Sequence, residues 1–153
     1  MPLKPGDKAP DFTLLDQNGE PFTLSKSLIQ RKVLHLCYFY PKADTPGCTQ
    51  QSCGLRDVAG QVGDTAIVGI SPDPPERQAK FDAKYSLGFP LLADEDHAVA
   101  EAYGVWGEKS MYGRKYMGIV RSAFLVDEKG RIAQAWYKVS PKDTAANLLE
   151  AVG

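Results

Sequence analysis

Val33-Leu34-His35-Leu36-Cys37-Tyr38-Phe39-Tyr40-Pro41-Lys42-Ala43-Asp44-Thr45-Pro46-Gly47-Cys48 reads as a buried strand that stops at a proline and turns into a helix. The apolar run 33–40 is interrupted by a histidine and falls far short of the ~20 residues a membrane helix needs, so it is a strand covered on both faces. Pro41 ends it because proline cannot donate to a β-ladder. A loop follows to about Pro46. A helix is expected from Gly47 to about Val62, with Thr45 or a neighbour as cap and Pro46 in the first turn, where its missing N–H costs nothing. Gly54 weakens the middle of that helix.

Working outward, Phe12-Thr13-Leu14-Leu15 and Pro21-Phe22-Thr23-Leu24 flank Asp16-Gln17-Asn18-Gly19-Glu20, and an Asn-Gly pair between apolar runs signals a hairpin. A polar stretch without an element of its own leads from there to the buried strand. Downstream, Thr65–Ser71 is a second buried strand and Pro74–Tyr85 a helix with Phe81 and Tyr85 on one face. Phe89–Ala93 is a short extended piece, and Asp94-Glu95-Asp96 opens a helix to about Ala102, where the helix dipole favours acids. A loop of roughly sixteen residues then holds Gly104, Gly107, Gly113 and Gly118, and a loop that long is usually functional or mobile. Ile119–Val126 and Arg131–Val139 form a hairpin around Asp127-Glu128-Lys129-Gly130, and Pro141–Val152 is a closing helix. This order implies an α/β fold: a mixed central sheet, helices on both faces and an N-terminal β-hairpin. Functional groups in such sheets gather where strand C-termini meet helix N-termini, which directs attention to the end of the 33–40 strand.

The composition sets the limits. With 153 residues, the chain (1–153) is expected to form a single domain. It is 43% apolar and 24% charged, which excludes a disordered or fibrous protein. Eighteen Lys and Arg against nineteen Asp and Glu give a net charge of -1, too little field to hold a nucleic-acid backbone or an anionic membrane. The N-terminal stretch Met1–Lys8 lacks the apolar core and small-residue cleavage site of a secretory signal, so a cytoplasmic location is expected. Three cysteines are too few for a disulfide scaffold, and in a reducing compartment cysteines are redox-active, catalytic or simply buried.

Cys48 falls in the first turn of the expected helix, where unpaired backbone N–H groups and the dipole stabilise an anionic sulfur, the nucleophilic form. Thr45, three residues earlier, can place a hydroxyl beside that sulfur, either as donor to it or as acceptor from a substrate O–H. Pro46-Gly47 lets the backbone approach closely. A lone cysteine is otherwise most often a small buried apolar residue.

The pattern Pro41-x-x-x-Thr45-x-x-Cys48 is similar to the peroxiredoxin active-site motif. Phe39-Tyr40-Pro41-Lys42 with Thr45-Pro46-Gly47-Cys48-Thr49 resembles the bacterioferritin comigratory protein, or peroxiredoxin Q, subgroup. The resemblance runs from Gly6–Phe12 through Tyr103-Gly104-Val105-Trp106-Gly107 to Arg121–Asp127. It implies a thioredoxin-like fold and reduction of hydrogen peroxide and organic hydroperoxides without metal or organic cofactor. Electrons would come from thioredoxin or a similar dithiol protein. By position it implies Cys48 as the peroxidatic cysteine, with Thr45 and the Cys48 N–H holding the peroxide and Pro41 shielding the site. Arg121 would stabilise thiolate and leaving oxygen, and Gln51 would help orient that arginine. Members of the subgroup are often monomers, sometimes dimers.

The same resemblance makes Cys53 the resolving thiol. Five residues on an α-helix put the Cα atoms roughly 8.6 Å apart, whereas a disulfide wants less than about 7 Å, so the helix must unwind locally. Some relatives instead carry a resolving cysteine in the helix after the second buried strand, but Phe81-Asp82-Ala83-Lys84-Tyr85 has none. Cys37 and His35 read as core. His97 beside Asp94, Glu95 and Asp96 reads as part of a helix start rather than a metal site, because no second His or Cys has ligand spacing nearby. The cations Lys109, Arg114 and Lys115 read as a solvated loop. Trp106, Tyr112 and Tyr116 fit either an apolar wall for bulky hydroperoxides or ordinary packing under that loop. The alternative function is a thiol-disulfide oxidoreductase or redox sensor on the same fold. Against it stand the absence of C-x-x-C and the grouping of Thr45 and Arg121 around one nucleophile.

Overall fold

The computed structural model describes residues 2–152. Its elements are β1 (Thr13–Leu15), β2 (Pro21–Thr23), α1 (Leu24–Arg31), β3 (His35–Phe39), α2 (Pro46–Val58), β4 (Ala66–Ser71), α3 (Pro75–Tyr85), β5 (Leu91–Ala93), α4 (Ala98–Ala102), β6 (Trp106–Met111), β7 (Arg114–Ile119), β8 (Ser122–Val126), β9 (Ile132–Trp136) and α5 (Asp143–Val152). A seven-stranded mixed sheet runs in the order β2-β1-β5-β4-β3-β8-β9. β3 lies parallel to β4 and antiparallel to β8, with His35 opposite Ala66 and Val126, and Phe39 opposite Ile70 and Ser122.

The strand alternation feeds two apolar layers. Leu36, Tyr38 and Tyr40 point to one face with Leu55 of α2, Phe81 of α3 and Leu148 of α5. Cys37 and Phe39 point to the other, with Leu24 and Leu28 of α1 and Val99 and Ala100 of α4. Full burial of such a side chain stabilises the fold by roughly 1.5–3 kcal/mol. β3 is therefore clamped on both faces and both edges, and its C-terminal end is a rigid platform for the turn that follows. The N-terminal hairpin also forms as the sequence indicates: the Asp16 carboxylate accepts from the N–H groups of Asn18 (2.8 Å) and Glu20 (3.0 Å), and Gly19 adopts φ 77°.

Two expectations need correction. The polar stretch after the hairpin contains α1, a helix that buries only Leu24 and Leu28, four residues apart, and leaves Ile29 71% exposed. The expected glycine-rich loop is a second sheet, the hairpin β6–β7, closed by Tyr112 (φ 53°) and Gly113 (φ 78°). Positive φ at both central residues gives the twist that suits a two-residue hairpin turn.

The core readings agree with the structure. His35 is fully buried; its Nδ1–H donates to the Val33 carbonyl (3.0 Å) and its Nε2 pairs with Ser27 Oγ (2.7 Å). Burial, with the nearby Arg31 charge as a smaller cause, pushes its pKa below the ordinary value against the pull of the carbonyl bond. Asp94 accepts from the N–H groups of Val99 (3.1 Å) and Ala100 (2.9 Å) and so caps α4. His97 stacks on Trp106 with ring centroids 3.8 Å apart. Among the described residues no helix is long and apolar enough to cross a membrane.

Candidate active site

The sheet delivers the chain at Tyr40 into a turn, and α2 begins at Pro46 with Thr45 as N-cap. The first intrahelical bond runs from Thr49 N–H to Thr45 O (2.8 Å), so the N–H groups of Gly47 and Cys48 precede the helical ladder. Cys48 lies in this donor-rich first turn, 1% exposed. Arg121 lies between β7 and β8, fixed by its carbonyl, which accepts from Val139 N–H (2.9 Å). Its Nη1 stands 3.4 Å from Cys48 Sγ and 2.8 Å from Gln51 Oε1. One guanidinium nitrogen thus serves both partners with its two hydrogens, and a fixed positive charge faces the sulfur.

Gly47 leaves the room for this. A Cβ there would stand 3.0 Å from Arg121 Nη2 and 3.4 Å from Pro141 Cγ. Thr45 has extended backbone and donates its hydroxyl proton to the Lys42 carbonyl (2.8 Å) rather than to the helix or the sulfur. Of the two roles open to it, acceptor from a substrate O–H is the one this bond leaves. Pro41 sits half-buried at the entrance to the turn. Gln51 is fully buried, and its Nε2 donates to Thr144 Oγ1 of α5 (3.0 Å). The structure therefore brings together Cys48, Gly47, Gln51 and Arg121, with Thr45 and Pro41 on the same turn.

Cys53 is half-buried on α2 and packs against the layer containing Cys48, and all three cysteines are free thiols. α2 is continuous from Pro46 to Val58, so the two sulfurs are held at helical spacing. Cys37 is on the opposite face of β3, where burial pushes its thiol pKa up to about 12.

Several residues that the sequence did not mark hold the turn in place. Asp73 Oδ2 accepts from Ala43 N–H and Ser71 Oγ, both at 2.7 Å. Gln78 accepts from Tyr40 OH and donates to Ser71 Oγ (2.8 Å). Asp44, at φ 59°, pairs with Lys84 (3.0 Å) and accepts from Tyr85 OH (2.9 Å); these two hydrogen bonds hold its carboxyl below the usual range. Tyr38 OH and Ser52 Oγ share a buried bond of 2.7 Å that ties the middle of α2 to the sheet. Polar residues at and just beyond the end of a buried strand, as at Ser71 and Asp73, are the one signal that could have pointed to part of this set; nothing in the sequence points to Thr144.

The hairpin corrects two further readings. Lys109 does not belong to a solvated loop: it is half-buried and donates to the Ile119 carbonyl (2.8 Å). Burial, then the Arg121 charge, push its ammonium pKa down, against the opposing effect of Cys48. Trp106 packs on His97 while Tyr112 is 99% exposed at the hairpin tip, so the three aromatics do not make one wall.

Residues 5–135 match the AhpC/TSA family. The chain is 52% identical over 133 residues to the peroxiredoxin Bcp of Escherichia coli (strain K12), covering 86% of this chain and 83% of that protein. It is 44% identical over 154 residues to the peroxiredoxin Bcp of Bacillus subtilis (strain 168), covering 99% and 96%. Among solved structures it is similar to the bacterioferritin comigratory protein of Xanthomonas campestris, described for its alkyl peroxide reduction activity. That likeness has a TM-score of 0.83 at 34% identity, over 92% of this chain and 89% of the other. The fold shared with these proteins is thioredoxin-like.

Proposed function

This chain belongs to the AhpC/TSA family as a peroxiredoxin close in sequence to the Bcp proteins, hence a thiol peroxidase, and we propose that Cys48 is its peroxidatic residue and Cys53 its resolving one. The observation that carries the proposal is the guanidinium 3.4 Å from a sulfur in the first turn of α2. Helix N–H groups and Arg121 together face the attacking sulfur and stabilise charge that develops on the departing oxygen.

In this mechanism the Cys48 thiolate attacks one peroxide oxygen and the O–O bond breaks. The sulfur becomes a sulfenic acid, and the second oxygen leaves as alkoxide or hydroxide and takes up a proton to give alcohol or water. Thr45 accepts the hydrogen bond of the attacked O–H, and Pro41 shields the sulfur from water. The Cys53 thiol then displaces the sulfenic oxygen as water and leaves a Cys48–Cys53 disulfide. A dithiol protein such as thioredoxin reduces that disulfide by thiol exchange, returning two thiols and itself becoming oxidised. The substrates are hydrogen peroxide and organic hydroperoxides, the latter in line with the alkyl peroxide activity described for the Xanthomonas protein.

The test is peptide mapping after one equivalent of hydrogen peroxide. The wild-type protein should carry a Cys48–Cys53 disulfide, and Cys53→Ser should carry a sulfenic acid on Cys48 that dimedone traps. A disulfide through Cys37, or full turnover with thioredoxin by Cys53→Ser, would remove the resolving role from Cys53.

A further inference from the structure

The closing helix reaches into the site at one buried hydroxyl. Thr144 is 1% exposed and Gln51 is fully buried, so solvent water does not compete for their hydrogen bonds. Thr144 Oγ1 lies 3.2 Å from the Ser140 carbonyl and 3.0 Å from Gln51 Nε2. Gln51 Oε1 lies 2.8 Å from Arg121 Nη1, and the same nitrogen lies 3.4 Å from Cys48 Sγ.

We propose that Thr144 is a positioning residue which fixes the direction of the Gln51 amide and, through it, the aim of Arg121 at the Cys48 sulfur. A backbone carbonyl can only accept, so the Thr144 hydroxyl gives its one proton to Ser140. Its lone pairs then face Gln51, and only the NH2 end of the amide can meet them. That leaves Oε1 toward a guanidinium, which can only donate. The reversed amide would set NH2 against guanidinium and oxygen against a hydroxyl whose proton is already committed. The whole chain from Ser140 to Cys48 therefore has one polarity in which every donor meets an acceptor, fixed by the carbonyl at one end and the guanidinium at the other. That turn is itself braced, since the Ser140 carbonyl also accepts from Asp143 N–H (3.1 Å) and Ser140 Oγ donates to Asp143 Oδ2 (3.1 Å).

This assignment rests on the reading of Cys48 and Arg121 as the peroxidatic pair, and the test separates the two. Thr144→Val keeps the shape and removes the hydroxyl; Thr144→Ser keeps the hydroxyl. Single-turnover consumption of hydrogen peroxide by the reduced proteins should be roughly three- to tenfold slower for Thr144→Val, the range expected for one lost neutral hydrogen bond, and near the wild-type rate for Thr144→Ser. A wild-type protein that does not consume peroxide quickly would break the peroxidase reading. A fast wild type matched by Thr144→Val, or a Thr144→Ser as slow as Thr144→Val, would overturn the role of Thr144 alone. A direct measurement needs no variant. In reduced wild-type protein with 15N-labelled glutamine, the Gln51 side-chain NH2 should show NOEs to the Thr144 methyl group; NOEs to the Arg121 guanidinium in their place would overturn the proposal.

Discussion

Arg121 reaches Cys48 from 73 residues away, and it fits because residue 47 has no side chain. In Gly47→Ala the new Cβ would meet the far end of the arginine at 3.0 Å, and a guanidinium moves at little cost to the fold. Peroxide reduction should therefore fall roughly tenfold, as expected when a preorganised charge is displaced from a reacting centre, while the thermal midpoint changes little. Stopped-flow rates and a melting curve check both halves; an unchanged rate would show that the arginine does not need its place. At this scale the sequence is legible wherever partners are neighbours. Thr45, Gly47 and Cys48 share one turn and announce themselves by spacing. Arg121 is invisible to local pattern and entered only through family resemblance. Thr144 is invisible to both, because its partner Gln51 lies 93 residues away and a threonine near a helix start has a routine explanation.

α2 carries both cysteines that the proposed cycle needs, and its geometry sets them against each other. Helical spacing puts their Cα atoms roughly 8.6 Å apart, beyond disulfide reach. Closing the bond must melt part of 46–54, against the Tyr38–Ser52 and Gln51–Thr144 bonds that hold it. Backbone amides there should exchange markedly faster in the oxidised protein than in the reduced one. Equal protection in the two states would contradict the account. Gly54→Ala should stabilise the reduced protein by roughly 0.5–1 kcal/mol, because alanine is the better helix former. Its Cβ would make only an ordinary 3.6 Å contact with Ala145. Disulfide closure, followed after a peroxide pulse, should slow by up to about fivefold, the rate equivalent of that free energy. The elements that sequence reading missed were hidden for two different reasons. α1 hides a two-leucine stripe in a polar run, and β6–β7 is a small solvent-facing sheet closed by Tyr112-Gly113, outside the usual Asn-Gly signal.

Across the whole molecule, β3 separates two chemistries. The face that receives Leu36, Tyr38 and Tyr40 leads into the site, while the opposite face buries Cys37 and His35 out of reach of it. The central strands, fully buried, are legible as apolar runs; their order in the sheet is not, because it rests on pairings between residues far apart in the chain, such as β3 with β4 and β8. His35 makes stability depend on pH. Its folded-state pKa lies below the ordinary 6.5, so the unfolded chain takes up a proton first as the solution is acidified. Stability from this residue is complete above about pH 6.5 and is lost as pH falls from there through the folded-state value. The melting temperature of wild type should drop over that acid range, and His35→Gln should show a smaller drop; parallel curves would contradict the assignment. The claim on which everything else depends is that the Cys48 environment makes a peroxide-reactive thiolate. The most direct test is single-turnover consumption of hydrogen peroxide by fully reduced wild-type protein beside Cys48→Ser. The expected result is consumption orders of magnitude faster than by a free thiol, abolished in the variant; a wild-type rate no higher than that of an ordinary cysteine would contradict the account.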